Sequence, residues 1–291
     1  MYKTELETAM ELGKNAGSII LSHYANGVVA EEKIGVDNFS EPVSIADRDA
    51  NRVLVDGLKS AFPDDAILSE EEPDDTQRRM NSRRVWIIDP IDGTSGFLDH
   101  NGDFAIHIGL TDRGRPVVGV VILPAFGITY HASLNEGAFL QRDGEPSVRM
   151  SVSDNTEISA MSLAVSRTHK NPKILTVSSE IGFGRNIERG SVGLKVGLIA
   201  ERICDAYIHL SPRTKLWDTC APQIILTEAG GKMTDLWGAE YRYDVADVQN
   251  WGGILAANGA AHADIVERLG PLLREAGRHR VGPSSRKAHK S

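Results

Sequence analysis

At 291 residues, with 41% hydrophobic and 25% charged residues, the chain has the make-up of an ordinary globular protein and the length for about two domains of ~150 residues. A net charge of -8, with Arg278, Arg280, Arg286, Lys287 and Lys290 gathered in an acid-free C-terminal stretch, argues against a broad nucleic-acid-binding face. No apolar run nears the ~20 residues that span a bilayer, the start lacks a signal-peptide core, and two cysteines (Cys204 and Cys220) are too few for a disulfide scaffold, so a cytoplasmic location is expected.

In chain order, Leu6 to Tyr24 places Leu6, Ala9, Met10, Ala16, Ile19 and Ile20 at helical spacing. A second helix is predicted from Asp47 to Ala61, with Ala50, Val53, Leu54 and Leu58 on one face and Pro63 beyond it. Ala66 to Ser69 and Val85 to Ile88 are short apolar runs that end directly in acids and read as buried strands. Strands at Phe104 to Leu110 and Val117 to Leu123 flank a turn at Asp112 to Arg115. The turn Arg142 to Glu145 and the polar stretch Ser151 to Thr156 mark a seam, which divides the chain into domains at 1–150 and 151–277. Beyond it come a strand at Ser162 to Val165, a helix at Leu194 to Ile203 and a strand at Ala206 to Leu210. A helix at Ala221 to Ala229, a strand at Gly252 to Ala257 and a helix at Ala261 to Ala276 follow. Residues 278–291 are expected to be a disordered basic tail. Mixed strands and helices in both halves predict an α/β (α+β) fold of layered sheets and helices.

The densest chemical signal is Trp86-Ile-Ile-Asp-Pro-Ile-Asp-Gly-Thr94. Pro90 disfavours helix at Asp89, so the strand is expected to end there and turn. The turn then presents Asp89 and Asp92 at a strand's carboxyl end, an oxygen-rich pair that suits Mg²⁺. Gly93 allows close backbone approach, and Thr94 and Ser95 are placed to open a helix whose free N–H groups hold a phosphate. Taken alone, the same nonamer also reads as a helix-capping turn. Glu70 and Glu71 follow another apolar strand and can converge on the same edge, whereas Asp74 and Asp75 read as a solvated loop. Asp47 and Asp218 each stand where a helix begins, where a plain N-terminal cap is the competing reading.

Together these residues resemble the lithium-sensitive, magnesium-dependent phosphatases that include inositol monophosphatases, bisphosphate nucleotidases and fructose bisphosphatases. The resemblance runs from about residue 5 to 270 and rests on the nonamer, on Trp217-Asp218 and on Glu228-Ala-Gly-Gly231. It implies a layered αβαβα sandwich of the sugar phosphatase type, with two or three Mg²⁺ ions. The implied ligands are Glu70, Asp89, Asp92, Asp218 and the carbonyl of Ile91. Thr94 and Asp47 match the pair that orients the attacking water, and Glu71 matches a supporting acid. Inhibition by lithium is implied as well, and the chain is expected as a monomer or homodimer. With all the metal acids present, a non-catalytic binding protein on the same fold is the weaker reading.

Within that superfamily the chain is similar to the 3'(2'),5'-bisphosphate nucleotidases, in Ser211-Pro212, in Trp217-Asp-Thr-Cys-Ala-Pro222 and in Gly230-Gly-Lys-Met-Thr-Asp235. Asn101-Gly-Asp-Phe104 and Ser166-Arg-Thr-His169 are similar to segments of the same branch, which places Ser166 and His169 near a nucleotide. Ser211 stands where inositol monophosphatases carry a glutamate for ring hydroxyls. Ser95 stands where the nucleotidases usually have lysine, and Val192-Gly-Leu194 where small polar residues are usual. A bisphosphate needs cations for the phosphate that is not cleaved, and Lys195, Arg213 and Lys215 are placed to supply them. The expected substrate-binding set is Gly93, Thr94, Ser95, Ser166, His169, Lys195, Arg213, Lys215 and Asp218. The expected reaction converts 3'-phosphoadenosine 5'-phosphate to AMP, with an inositol or sugar phosphatase as the alternative.

Overall fold

The computed structural model describes residues 1–29, 31–35, 40–167 and 172–280, the side chains of residues 40–42 and 172 excepted. The candidate His169 and the tail beyond residue 280 lie outside the described residues. Among those described, no helix is long and apolar enough to cross a membrane.

The chain opens with helix α1 (Lys3–Asn26), a two-stranded antiparallel hairpin of β1 (Glu31–Ile34) and β2 (Ser40–Val43), and helix α2 (Ile45–Ala61). A seven-stranded sheet follows in residues 66–150. Its strands are β3 (Ala66–Ser69), β4 (Arg84–Asp92), β5 (Ala105–Asp112), β6 (Arg115–Leu123), β7 (Ile128–Ser133), β8 (Gly137–Arg142) and β9 (Val148–Met150), in that spatial order. Only β3 and β4 run parallel; each later pair is antiparallel. Short helices α3 (Thr76–Asn81) and α4 (Thr94–Leu98) flank β4.

The second sheet, in residues 162–258, has the order β11-β10-β12-β14-β13. It is built from β10 (Ser162–Ser166), β11 (Arg185–Arg189), β12 (Ala206–His209), β13 (Gly231–Thr234) and β14 (Ile254–Asn258). Its helices are α5 (Pro172–Ile181), α6 (Val192–Ala200), α7 (Leu216–Glu228) and α8 (His262–Glu275).

Side chains alternate across a strand, so each sheet can bury both faces. On β5 and β6, Ile106, Ile108, Leu110, Val118, Val120 and Ile122 face Ala16 and Ile20 of α1 and Leu54 and Leu58 of α2. The opposite face sets Ala105, Val121 and Leu123 against Leu194 of α6 and Ile224 and Ile225 of α7. Val196 and Ile199 of α6 continue onto Tyr207 and Ile254 of the second sheet. The far face of that sheet, through Leu163, Ile208 and Leu255, is covered by Ile181 at the end of α5 and by Ile265 and Leu269 of α8. The layers therefore run αβαβα.

Several elements depart from the sequence expectation. Strand β4 does not end at Asp89 but runs to Asp92. Asp89 pairs with His107 and Asp92 with Ala105, so three steps on one strand face two on the other, a bulge at Pro90-Ile91. Pro90 has no N–H to give the ladder, and a bulge is where a strand tolerates that loss. Helix α7 starts five residues before the predicted Ala221, and Pro222 is accommodated inside it. Asp74 and Asp75 are not a solvated loop: Asp75 caps α3 through the Arg78 N–H, and Asp74 takes the guanidinium of buried Arg79 at 2.9 and 2.8 Å.

Helix α7 can lie on the first sheet because Gly109 and Gly119 face each other in the β5–β6 register. A Cβ on Gly119 would stand 2.4 Å from the Ile224 side chain and 2.6 Å from the Ala221 carbonyl. Gly119→Ala should therefore lower stability by about 1–3 kcal/mol, the usual range for overpacking. Gly17, inside α1, has only ordinary contacts at 3.7 Å waiting for a Cβ, so Gly17→Ala should raise stability by about 0.5–1 kcal/mol. Urea unfolding midpoints of the two variants should move in opposite directions, and a shared direction would refute the packing argument.

Candidate active site

Strand β4 buries eight of its nine residues, all but Arg84, so the carboxylates at its end are buried with it. Asp89 is 2% exposed and Asp92 7%. The first turn of α7 brings up Asp218, whose carboxylate accepts the Lys215 N–H at 2.5 Å. Ligand oxygens of Asp89, Asp92 and Asp218 all lie within 4.8 Å of one another. Two acids of one strand and a third from a helix more than a hundred residues on thus form one cluster.

Asp92 is held from several sides. Its Oδ2 accepts the Ser191 hydroxyl at 2.6 Å and the N–H groups of Val192 and Gly193, and it lies 3.1 Å from His107 Nε2. Gly93 follows at φ +93°, where a Cβ would stand 2.8 Å from the Asp103 carbonyl; only glycine turns the chain there. Thr94 Oγ1 then lies 3.1 Å from the Ile91 carbonyl and 3.5 Å from Asp47 Oδ1. Helix α4, which Thr94 opens, spans five residues. Asp47 is not the cap of α2. Ser44 is, and Asp47 returns the capping box by accepting the Ser44 N–H and hydroxyl on Oδ2, which leaves Oδ1 toward Thr94.

Glu70 and Glu71 are drawn to Lys33 of the β1–β2 hairpin. Its ammonium donates to Glu70 at 2.9 Å and to Glu71 as well. Glu70 still lines the cleft beside the aspartates, but it stands outside their cluster.

The cleft holds about 230 Å³. Of the expected substrate contacts, Thr94, Ser95, Ser166, Lys195, Arg213, Lys215 and Asp218 line it; Gly93 is packed beneath it. Lys195 is 3% exposed, donates to the Gly190 carbonyl at 3.0 Å and sits 4.7 Å over the Tyr207 ring. Val192, which the sequence comparison treats as an irregularity, supplies a backbone donor to Asp92 and needs no polar side chain for that.

Charge explains the protonation states. Burial, then Glu70, Asp92 and Asp218, hold the Asp89 carboxyl well above its ordinary value. Burial and Asp92 push Asp218 up to about 7, and burial raises Glu71 to about 7 despite Lys33. Burial also acts on Asp92, but His107, Lys195 and Ser191 outweigh it and hold that carboxyl well below the aspartate range. Burial lowers Lys195 to about 8 against the pull of Asp92, Asp103 and Asp218. A buried all-oxygen cluster whose members raise one another's pKa fits a hard divalent cation, which replaces protons with charge.

Two residues that shape the site carry no motif. His107 lies within an otherwise apolar strand. Arg79 donates to the carbonyls of Val245 and Ala246, on the loop whose Asn250 holds the Lys215 carbonyl at 2.6 Å, directly before Asp218's helix. A lone histidine among apolar residues and an arginine in a short polar helix were the only available signals.

Comparison with known proteins gives a consistent result. Residues 1–273 match the inositol monophosphatase family. The 3'(2'),5'-bisphosphate nucleotidase CysQ of Escherichia coli (strain K12) is 32% identical over 238 residues, 82% of this chain and 93% of that protein. The structure of the Thermotoga maritima IMPase is 28% identical, with a TM-score of 0.77 over 94% of this chain and 99% of the other. The structure of CysQ from Bacteroides thetaiotaomicron, a bacterial member of the inositol monophosphatase family, is 27% identical, with a TM-score of 0.73 over 89% and 98%.

The raised carboxyls predict a pH-dependent response to metal. Without a cation, the folded chain binds more protons than the unfolded chain between about pH 4, where free carboxylates titrate, and about 7 for Asp218 and Glu71. Stability from these groups is complete below pH 4 and is lost as pH rises through 7. A divalent cation offsets that loss. The rise in melting temperature on adding Mg²⁺ should thus be larger at pH 8 than at pH 5.5; equal rises would remove these carboxyls from the metal site.

Proposed function

The chain belongs to the inositol monophosphatase family of phosphatases, and on that premise we propose that it removes the 3'-phosphate of 3'-phosphoadenosine 5'-phosphate to give AMP. The observation that carries this reading is that one cleft presents both signs of charge. Asp92, Asp218 and Glu70 line it together with Lys195, Arg213 and Lys215, and Asp89 clusters with the two aspartates. A substrate with two phosphates uses both, since the cleaved group goes to the metal acids and the spared dianion needs cations. Ser211 also lines the cleft, so no carboxylate stands there for ring hydroxyls.

In the proposed mechanism Asp89, Asp92, Asp218, Glu70 and the Ile91 carbonyl would hold two or three Mg²⁺ ions, which would supply an activated water and charge for the leaving oxygen. Thr94 has one hydroxyl proton. When it donates to Asp47, its lone pairs face the cleft and orient the attacking water. The Ser44 bonds fix Asp47 for that task. Glu71 supports Glu70 through their shared contact with Lys33. Lys195 has donors beyond the one on Gly190, and Arg213 presents a planar fork suited to phosphate. Cys204 and Cys220 are free, buried thiols; they take no part in the reaction and suit the cytoplasm we assign. Inhibition by Li⁺, and by Ca²⁺ with its longer and looser coordination, belongs to the same proposal.

Two measurements test it. Asp89→Asn should abolish phosphate release while leaving the melting temperature of the ion-free chain unchanged or higher, because one of the repelling acids is gone. Full turnover in that variant would refute the mechanism. Arg213→Ala should raise KM for 3'-phosphoadenosine 5'-phosphate about tenfold to a hundredfold, the equivalent of a charge-assisted contact of roughly 1.5–3 kcal/mol. Its KM for an inositol monophosphate should change by less than about threefold. An unvaried chain that prefers the inositol phosphate would replace the nucleotidase reading with the sugar phosphatase one.

A further inference from the structure

We propose that His107 is a positioning residue for the metal site, its ring tying the Asp92 carboxylate to the backbone that carries Asp218. The proposal rests on the reading of Asp89, Asp92 and Asp218 as metal ligands. His107 lies on β5 opposite Asp89 in the β4–β5 register and is fully buried. Its two ring nitrogens face different parts of the site. Nε2 lies 3.1 Å from Asp92 Oδ2, at ion-pair distance but without hydrogen-bond alignment, and Nδ1 lies 3.2 Å from the carbonyl of Trp217, the residue before Asp218. One ring thus spans two of the three clustered acids, the first by direct contact and the second through its neighbouring peptide.

The surroundings fix the ring in that pose. A Cβ on Gly193 would stand 2.2 Å from His107 Nε2 and 2.7 Å from Val121, so the first turn of α6 lies close against the imidazole. The consequence falls on Asp92. Its Oδ2 already accepts from Ser191, Val192 and Gly193, and a carboxylate offers about four acceptor sites over two oxygens. With Oδ2 turned into this set of donors, Oδ1 is the oxygen left for a cation. The contacts at Ser191 to Gly193 come from α6 alone. Among the described residues, His107 stands against both this carboxylate and the first turn of α7, and so keeps Asp92 and Asp218 in register with each other.

The amide of glutamine reaches about as far as Nε2 and that of asparagine about as far as Nδ1, so two substitutions separate the ring's two contacts. Mn²⁺ binding to the substrate-free chain, measured by titration calorimetry, is the primary readout. His107→Gln and His107→Asn each break the tie at one end, and His107→Leu breaks it at both. All three should bind Mn²⁺ about 10- to 100-fold more weakly than the unvaried chain, as expected for loss of a group that orients a metal ligand. In the weakened variants the activity should be regained at high Mg²⁺, with the loss in the metal requirement and not in kcat. A folded Leu chain that binds Mn²⁺ as tightly as the unvaried one would overturn the proposal. A folded Gln or Asn chain that does so would overturn it too, by showing that one contact suffices and no tie is needed. If Leu does not fold, the Gln and Asn chains decide alone. An unvaried chain that binds no Mn²⁺ would instead sink the metal-site reading beneath it.

Discussion

Ligand oxygens of Asp89, Asp92 and Asp218 sit within 4.8 Å of one another where little water reaches them. Two carboxylate charges at that separation repel by about 3 kcal/mol at an effective dielectric of ~20. Nothing in the local chain would choose that arrangement. It persists because the surrounding elements over-determine the position of each acid; burial first, and then the neighbouring acids, hold the Asp89 and Asp218 carboxyls above the ordinary aspartate range. A multivalent cation would relieve that repulsion, which is the use we propose for the cluster.

The scaffold meets this constraint by placing donors from one part of the chain on acceptors from another. Asp92, at the end of the first sheet's β4, is gripped by Ser191, Val192 and Gly193 at the start of α6. Gly190, just before them, gives its N–H to Asp103 at 2.8 Å, and Arg167 pairs with the same carboxylate at 2.9 Å. Arg79 reaches from α3 to the loop that supports α7. These contacts need α6 and α7 to lie close on the first sheet, which Gly109, Gly119 and Gly193 permit by leaving no Cβ in the way. Packing of apolar layers and placement of polar ligands are therefore one problem, solved by the same helices.

On the cation side the balance is different. Lys33 holds Glu70 and Glu71, and those acids outweigh the effect of burial and hold its ammonium above the ordinary lysine range. Lys195, buried with a single carbonyl and the face of Tyr207, is instead pulled down to about 8. The first lysine is committed to neutralising acids of the site, and the second is held by a carbonyl and a ring face. That difference in partners, not their shared charge, separates their roles.

The amino-acid sequence by itself determined the parts that local patterning encodes. Apolar runs that stop at Ser69 and Ile88, before acids, marked β3 and β4, and helical spacing marked α1, α2 and α8 within a few residues. Polar or short segments escaped notice, among them β7, β8, β9 and the edge strand β11 with its sequence Arg-Asn-Ile-Glu-Arg, because their strand character comes from neighbours and not from periodicity. The resemblance groups Asp218 with Asp89 and Asp92 and pairs Asp47 with Thr94, but only the tertiary structure decided how closely they stand and that Glu70 and Glu71 share Lys33. It also decided that His107 and Arg79 belong to the site's support. Each of these is a contact between residues far apart in the chain, and the free energy that fixes it comes from packing helices between two sheets. A sequence pattern read over ten or fifteen residues carries no term for that packing.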